Sequence, residues 1–291
     1  MSDLESLSDV SVAILSCNRR DDLRTTLRTL SAPGPVWREI IVADNASSDG
    51  TPAMVRAEFP GVTLIETGGN LGVAGINQAY RAARGRWILS LDDDSAPDLP
   101  SWTALNRELA RGPDYGAITC SVRSQPAGAT LAAEPALVPY LGFHQAGGLL
   151  RRDLVEKLGG FDEDLFLWGV ELHLTARATQ AGFRLARCDS AVVVHRATPH
   201  NRSSRRHAWY YCRNTFLLLL RHAPPETRRA LAETFLSRTL LYSALHRTTA
   251  YLGAIRDARR LHRRVRLRAP LTREQFGGMN PDLRAPFSFL G

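Results

Sequence analysis

Apolar runs of strand length alternate with amphipathic stretches through the first hundred residues. Residues 10–16 (Val-Ser-Val-Ala-Ile-Leu-Ser) and 39–43 (Glu-Ile-Ile-Val-Ala) are short, nearly continuous apolar runs, the pattern of strands buried on both faces. Between them Leu23, Leu27 and Leu30 recur at helical spacing. Residues 62–66 predict a third strand and 87–92 a fourth, with helices at 51–59 and at about 77–83, the second stopped by Gly85. Strand and helix alternating at this spacing predict a parallel, right-handed, doubly wound α/β sheet. Beyond Pro97 the pattern predicts a helix at 102–110, a strand at 116–122, a strand at 141–150 carrying Gly147-Gly148, and a helix at 152–158. A helix at 171–181, ended by Gly182, and a strand pair over 183–194 closing at His195 complete it. Residues 123–140, rich in Ala and Pro, read as a variable loop near a site. From about residue 209 the chain turns helical with no sheet signal, which divides it into 1–208 and a helical extension, 209–291.

Charge sharpens that division. Residues 201–273 hold 17 Arg against three acids, a balance of +14 in a chain whose net charge is +8. The basic part is therefore local, and it suits nucleic acid, an anionic membrane surface or a phosphorylated ligand. Lys157 is the only lysine, so the Arg excess reflects codon usage more than selection for bidentate anion binding. Cys17, Cys120, Cys188 and Cys212 are far apart without metal-site spacing, the usage of reduced thiols. The acidic opening Met1-Ser-Asp-Leu-Glu lacks the apolar core of a secretory signal. The apolar run at 216–220 is too short to span a bilayer. A cytoplasmic location is the expectation, with the inner membrane face as a further option.

Candidate chemistry begins where the fourth strand stops. Leu91 is followed by Asp92, Asp93 and Asp94, which places three carboxylates at a strand's C-terminal edge, where open α/β sheets bind ligands. Adjacent carboxylates repel one another and are tolerated on a solvated turn or around a hard divalent cation. Asp44, ending the second strand, opens a run of turn formers (Asp-Asn-Ala-Ser-Ser-Asp-Gly-Thr) and reads by itself as a helix-capping acid. Asn70 to Asn77 is a glycine-bearing loop that opens a helix, a backbone suited to close approach by an anion.

These stretches, with Gly159-Gly160-Phe161-Asp162-Glu163 and Gly169-Val170-Glu171-Leu172-His173-Leu174, stand in the order and spacing of the family-2 (GT-A fold) glycosyltransferases, which the chain resembles over roughly residues 10–220. The resemblance implies a GT-A architecture: a Rossmann-like, mostly parallel sheet with a nucleotide-sugar half at about 10–100 and an acceptor half at about 101–208. It implies that Asp94 ligates Mg²⁺ or Mn²⁺, with Asp92 near the ribose or the metal and Asp93 among the donor contacts. It implies that Asp44 reads a nucleobase imide N–H, with Asn70, Gly72 and Asn77 lining the donor. His195, closing Ala191-Val-Val-Val-His, matches the residue that helps hold the metal or the diphosphate. Arg205 and Arg213, in the segment that follows in rhamnosyl- and galactofuranosyltransferase-like members, are implied to hold phosphate, although such a run is also the composition of a solvated helix face. Gly148, Trp168 and His173 are implied on the acceptor side.

Glu171 is implied to be the base that deprotonates the acceptor hydroxyl in an inverting displacement. Here the chain departs from the family: Val170 stands where an acid usually precedes the base, and His173 where an Asp often follows. The departures keep open a non-catalytic, nucleotide-sugar-binding protein of the same fold. A nucleotidyltransferase would carry a glycine-rich first loop, and Ser16-Cys17-Asn18-Arg19-Arg20 has no glycine. Nucleic-acid binding rests on charge alone and is not expected. The partners implied are a dTDP- or UDP-sugar, rhamnose first, and a hydroxyl acceptor on a glycan, lipid-linked intermediate or natural product; a peripheral membrane contact and a homodimer stay open.

Overall fold

The computed structural model describes residues 5–33, 37–110, 113–124, 137–196, 204–245, 247–264 and 269–279. The chain forms two compact units, one from residues 1–160 and 183–200, the other from 161–182 and 201–291.

The first unit is built on β1 (Val10–Ser16), β2 (Glu39–Asp44), β3 (Thr63–Glu66) and β4 (Trp87–Asp92), joined by α1 (Arg20–Leu30), α2 (Thr51–Glu58) and α3 (Ile76–Ala82). These strands run parallel, in the order β3-β2-β1-β4. Their residues explain why they form: β1 and β4 are buried almost throughout, and Leu23, Leu27 and Leu30 bring one face of α1 onto them. Each such leucine contributes about 2 kcal/mol on leaving water. Register then fixes the upper edge, because Ser16 pairs with Asp44 and Leu15 with Asp92, so the acids ending β2 and β4 stand at one edge.

The rest of the sheet is mixed. After β5 (Ser95–Pro97) and α4 (Leu99–Ala110) come β6 (Ala117–Arg123), β7 (Leu137–Pro139), β8 (Gly148–Arg151), α5 (Arg152–Leu158) and β9 (Leu185–His195). The strand β8 pairs antiparallel with both β4 and β6, and β9 runs parallel to β6. Among the described residues nine strands make one sheet, ordered β3-β2-β1-β4-β8-β6-β9-β5 with β7 on β9.

Two expectations are corrected here. The strand expected at 141–150 begins only at Gly148, after a 3-10 turn at Gln145–Gly147; the ring of Phe143 folds over that glycine, where a Cβ would lie 2.1 Å from it. The strand pair expected over 183–194 is one long strand. Its register against β6 jumps from Cys120↔Cys188 to Ser121↔Val192, a bulge that redirects the strand. Most of the variable stretch 123–140 lies outside the described residues; 137–139 forms β7.

The second unit is helical: α6 (Glu171–Gln180), α7 (Ser204–His222), α8 (Pro225–Leu245), α9 (Ala250–His262) and α10 (Arg273–Gly278). The apolar run of α7 is buried with Phe235, Ile255 and Ala258. Phe216 and Phe235 stack at 6.0 Å. Among the described residues no helix is long and apolar enough to cross a membrane.

Candidate active site

The β4 strand ends in a turn closed by one side chain: Ser95 Oγ accepts from the Asp92 amide at 2.9 Å and donates to the Asp92 carbonyl at 3.0 Å. This lets β5 reverse and pair with the far end of β9, Ser95 opposite His195. The redirected β9 thus delivers an imidazole to Asp94, 101 residues before it in the chain, and to Asp92 beside it. His195 Nε2 lies 3.0 Å from Asp94 Oδ1 and 3.8 Å from Asp92 Oδ2. Donor atoms of Asp92, Asp94 and His195 all fall within 4.8 Å of one another. Two carboxylates and one imidazole are a compact set whose hard carboxylate oxygens suit Mg²⁺ or Mn²⁺.

Asp93 points elsewhere. Its carboxylate meets Arg19 Nε at 3.0 Å, and the same guanidinium reaches Asp94 Oδ2 at 2.7 Å and Asp22 at 3.0 Å. Arg19 is therefore the counter-charge of the acidic turn. Burial pushes the Asp93 carboxyl up to about 8 against the opposing pull of Arg19. Burial also raises Asp92, with His195 opposing and Asp94 adding to the rise. Gln145 Nε2 donates to Asp92 Oδ1 at 2.9 Å. Arg196 donates its amide to the Asp94 carbonyl at 3.0 Å and its guanidinium to Thr26 at 2.8 Å, tying the turn to α1.

Along the same edge, Asp44 is 1% exposed. Its Oδ2 accepts from the Ser47 amide at 3.0 Å, while Oδ1 is buried with no hydrogen-bond partner. An unpaired buried carboxylate oxygen is costly and asks for a donor. Asn45 beside it organises the next loop, donating to Asn70 Oδ1 at 3.1 Å and the Gly72 carbonyl at 2.9 Å and accepting from the Leu71 amide at 2.9 Å. Gly75 is needed for this, since a Cβ there would lie 2.7 Å from Asn45 Oδ1. A cleft of about 450 Å³ opens among Asn18, Arg19, Asp22 and Asp49.

The structure thus brings together Asp92, Asp94 and His195, and separately Asp44, Asn70 and Gly72. Other expected residues turn inward. Asn77 is 1% exposed and packs on Gly160, whose Cβ would come within 2.3 Å of it, so it braces the loop from within. Gly148 is a buried sheet residue covered by Phe143. Sequence reasoning left Arg19, Gln145 and Arg196 out of the site and quoted Asn45 only as part of a motif. No local pattern marks the first three, whose partners are far away in the chain.

In the second unit, Glu171 opens α6 and is partly exposed. The segment before it is strained: Phe166 and Trp168 hold φ of 61° and 50°, followed by Gly169 at 70°. Two residues of α7 hold it. Asn214 Nδ2 donates to the carbonyls of Leu165, Leu167 and Trp168 at 3.0, 2.9 and 2.7 Å. Arg213 donates to the carbonyls of Asp164 and Leu165 and pairs with Asp257 at 3.1 Å. The expected phosphate role of Arg213 is therefore corrected: its guanidinium is buried and engaged within the unit. His173 is corrected likewise. It is 1% exposed, its Nε2 faces the Asn214 carbonyl at 2.9 Å, and burial lowers it to about 4. Trp168 stacks on His207 at 4.2 Å and stays partly exposed; Arg205 is exposed in the first turn of α7.

A family model described as "Glycosyl transferase family 2" matches residues 11–157. The chain belongs to that family. This family-2 chain is 35% identical over 118 residues to the "Succinoglycan biosynthesis protein ExoO" of Rhizobium meliloti, covering 39% of the chain and 32% of that relative. It is 26% identical over 239 residues to the "N-acetylglucosaminyl-diphospho-decaprenol L-rhamnosyltransferase" of Mycobacterium tuberculosis, covering 66% of the chain and 76% of the relative. Among solved structures it resembles a mannosyltransferase from Pyrobaculum calidifontis in complex with GDP-Man and Mn²⁺, with 23% identity and a TM-score of 0.58 over 86% of this chain and 73% of the other. That likeness establishes the GT-A fold.

Proposed function

We propose that the protein is a metal-dependent inverting glycosyltransferase that moves a sugar from a dTDP- or UDP-sugar, rhamnose first, to an acceptor hydroxyl. The observation that carries this reading is the convergence of Asp92, Asp94 and His195 at the end of β4, on the same sheet edge as the unpaired Oδ1 of Asp44.

Asp92, Asp94 and His195 would hold Mg²⁺ or Mn²⁺, which when bound neutralises charge on the diphosphate leaving group. Arg19 keeps the acidic turn in place by compensating Asp93 and Asp94. Asp44 Oδ1 accepts the imide N–H of uracil or thymine, a donor that matches its unused acceptor. Asn70 and Gly72, tied down by Asn45, shape the loop beside the nucleotide. Glu171 takes the proton of the acceptor hydroxyl; the hydroxyl oxygen bonds to the anomeric carbon as the bond from that carbon to the diphosphate oxygen breaks, with inversion. Trp168 offers an aromatic face to the acceptor, and exposed Arg205 supplements the donor contacts. The acceptor we favour is a cell-surface glycan or its lipid-linked precursor, in keeping with the names of the two curated relatives. Four free cysteines fit a cytoplasmic location.

The test is a donor panel: the purified protein with dTDP-, UDP- and GDP-sugars, followed by thermal shift with and without Mn²⁺ and by product formation. A Mn²⁺-dependent shift with one donor and transfer of its sugar is expected. Stabilisation by no donor, or binding without transfer to any acceptor tried, counts against the reading.

A further inference from the structure

The second unit carries a surface that holds none of the site residues named above. The outward face of α8 changes character half-way along. Its first half is polar, with Glu226 exposed and Arg229 paired to Glu233 at 2.8 Å. Its second half presents Leu240 (55% exposed), Leu241 (62%) and Leu245 (70%), with Ala244 exposed between them. Positions 240 and 244, and 241 and 245, are one turn apart, so they form adjacent rows of one face. Leu252 of α9, 40% exposed, belongs to the same end, because the rings of Tyr242 and Tyr251 meet there at 5.5 Å. Single exposed leucines are ordinary, but four gathered at one helix end mark a surface that something covers.

The surrounding charge says what. No Asp or Glu occurs from residue 234 to 256, while Arg238, Arg247 and Arg256 are exposed in that stretch. A second copy of the chain on a two-fold contact would bring these same arginines face to face with no acid in the patch to offset them. An anionic surface meets them with opposite charge. We propose that the α8–α9 end is a peripheral docking surface for an anionic lipid bilayer. The leucines enter the boundary between headgroups and acyl chains, and the arginines meet lipid phosphates. The proposal does not depend on the donor site, and its test needs no turnover.

The full chain is floated with phosphatidylcholine vesicles that contain or lack phosphatidylglycerol. Binding to the anionic vesicles is expected, weakening as salt rises. The L241E/L245E variant should lower vesicle affinity by about tenfold or more. R238A/R256A should lower it by roughly fivefold per arginine. Both variants alter exposed positions and should keep the melting temperature of the parent. Absence of binding to anionic vesicles at low salt overturns the proposal, as does binding that neither variant changes. A dimer in light scattering that L241E/L245E converts to a monomer overturns it too, by giving the face to a second copy.

Discussion

Asp94 is held on every side: Arg19 on one carboxylate oxygen, His195 on the other, and the Arg196 amide on its carbonyl. That division of its two oxygens makes it a structural anchor of the turn as well as the metal ligand proposed above. Asp94→Asn keeps the shape and removes the charge, and it should abolish the Mn²⁺-dependent part of the donor thermal shift; a retained shift would point to another metal site. Asp44→Ala removes the acceptor with the unused lone pairs, and an isothermal titration should show nucleotide affinity falling by about 10- to 100-fold, the worth of one charge-assisted hydrogen bond. Glu171→Gln should reduce kcat by about 10²- to 10⁴-fold while the donor shift persists, because general-base catalysis is lost and binding is not. Activity near the parent's in that variant would sink the assignment.

Among the elements, the bulge in β9 and the hold of α7 on the 164–168 segment do the positioning. Without the register jump between Cys120 and Ser121, the strand would not bring His195 opposite Ser95. The 164–168 segment is kept in its left-handed conformations by three carbonyl bonds to a single amide, Asn214 Nδ2. Asn214→Ala leaves those carbonyls without this donor and should cost about 2–4 kcal/mol in urea unfolding, more than one ordinary hydrogen bond. Donor binding measured by thermal shift should change far less than stability. A full-stability Asn214→Ala would mean that the segment has other support.

For the whole molecule, buried neutral histidine couples stability to pH. His173 is lowered to about 4 by burial, opposed by the Asn214 carbonyl and deepened by Arg221, and it faces the His222 ring at 5.3 Å. Its unfolded pKa is near 6.5, so the unfolded chain takes a proton first as pH falls. Stability is therefore complete above about pH 6.5 and is lost between there and about pH 4, where the native state finally protonates. The urea midpoint of the parent should drop from pH 7 to pH 5 more steeply than that of His173→Asn; equal slopes would show that other groups carry the acid sensitivity.

The first four strands and three helices were legible because their signal is local. A run such as Val10–Ser16 is apolar at nearly every position, and only a strand covered on both faces buries all of it. Asp44 and Asp92 were legible for the same reason, since a carboxylate following such a run must stand at the strand's edge. One glycine misled: Gly148 read as a ligand contact and is a space made for Phe143. Gly160, quoted only within a motif, is a space made for Asn77. Arg213 and His173 stand on helices at positions that sequence alone could not orient. The partners that turn them inward, Asp164, Leu165 and Asp257 for Arg213 and the Asn214 carbonyl for His173, come from distant parts of the chain or from another helix.

What the sequence determined by itself was the alternation of elements, the edge on which the acids stand, and the family to which its motifs belong. Tertiary structure alone decided which polar groups meet. Arg19 reaches Asp94 across 75 residues, Asn45 reaches Asn70 across 25, and His195 reaches the acidic turn through a strand whose register shifts on the way. The reason is physical: hydrophobic periodicity is a property of a short window, whereas the pairing of polar groups depends on where the packed core leaves them once it has formed.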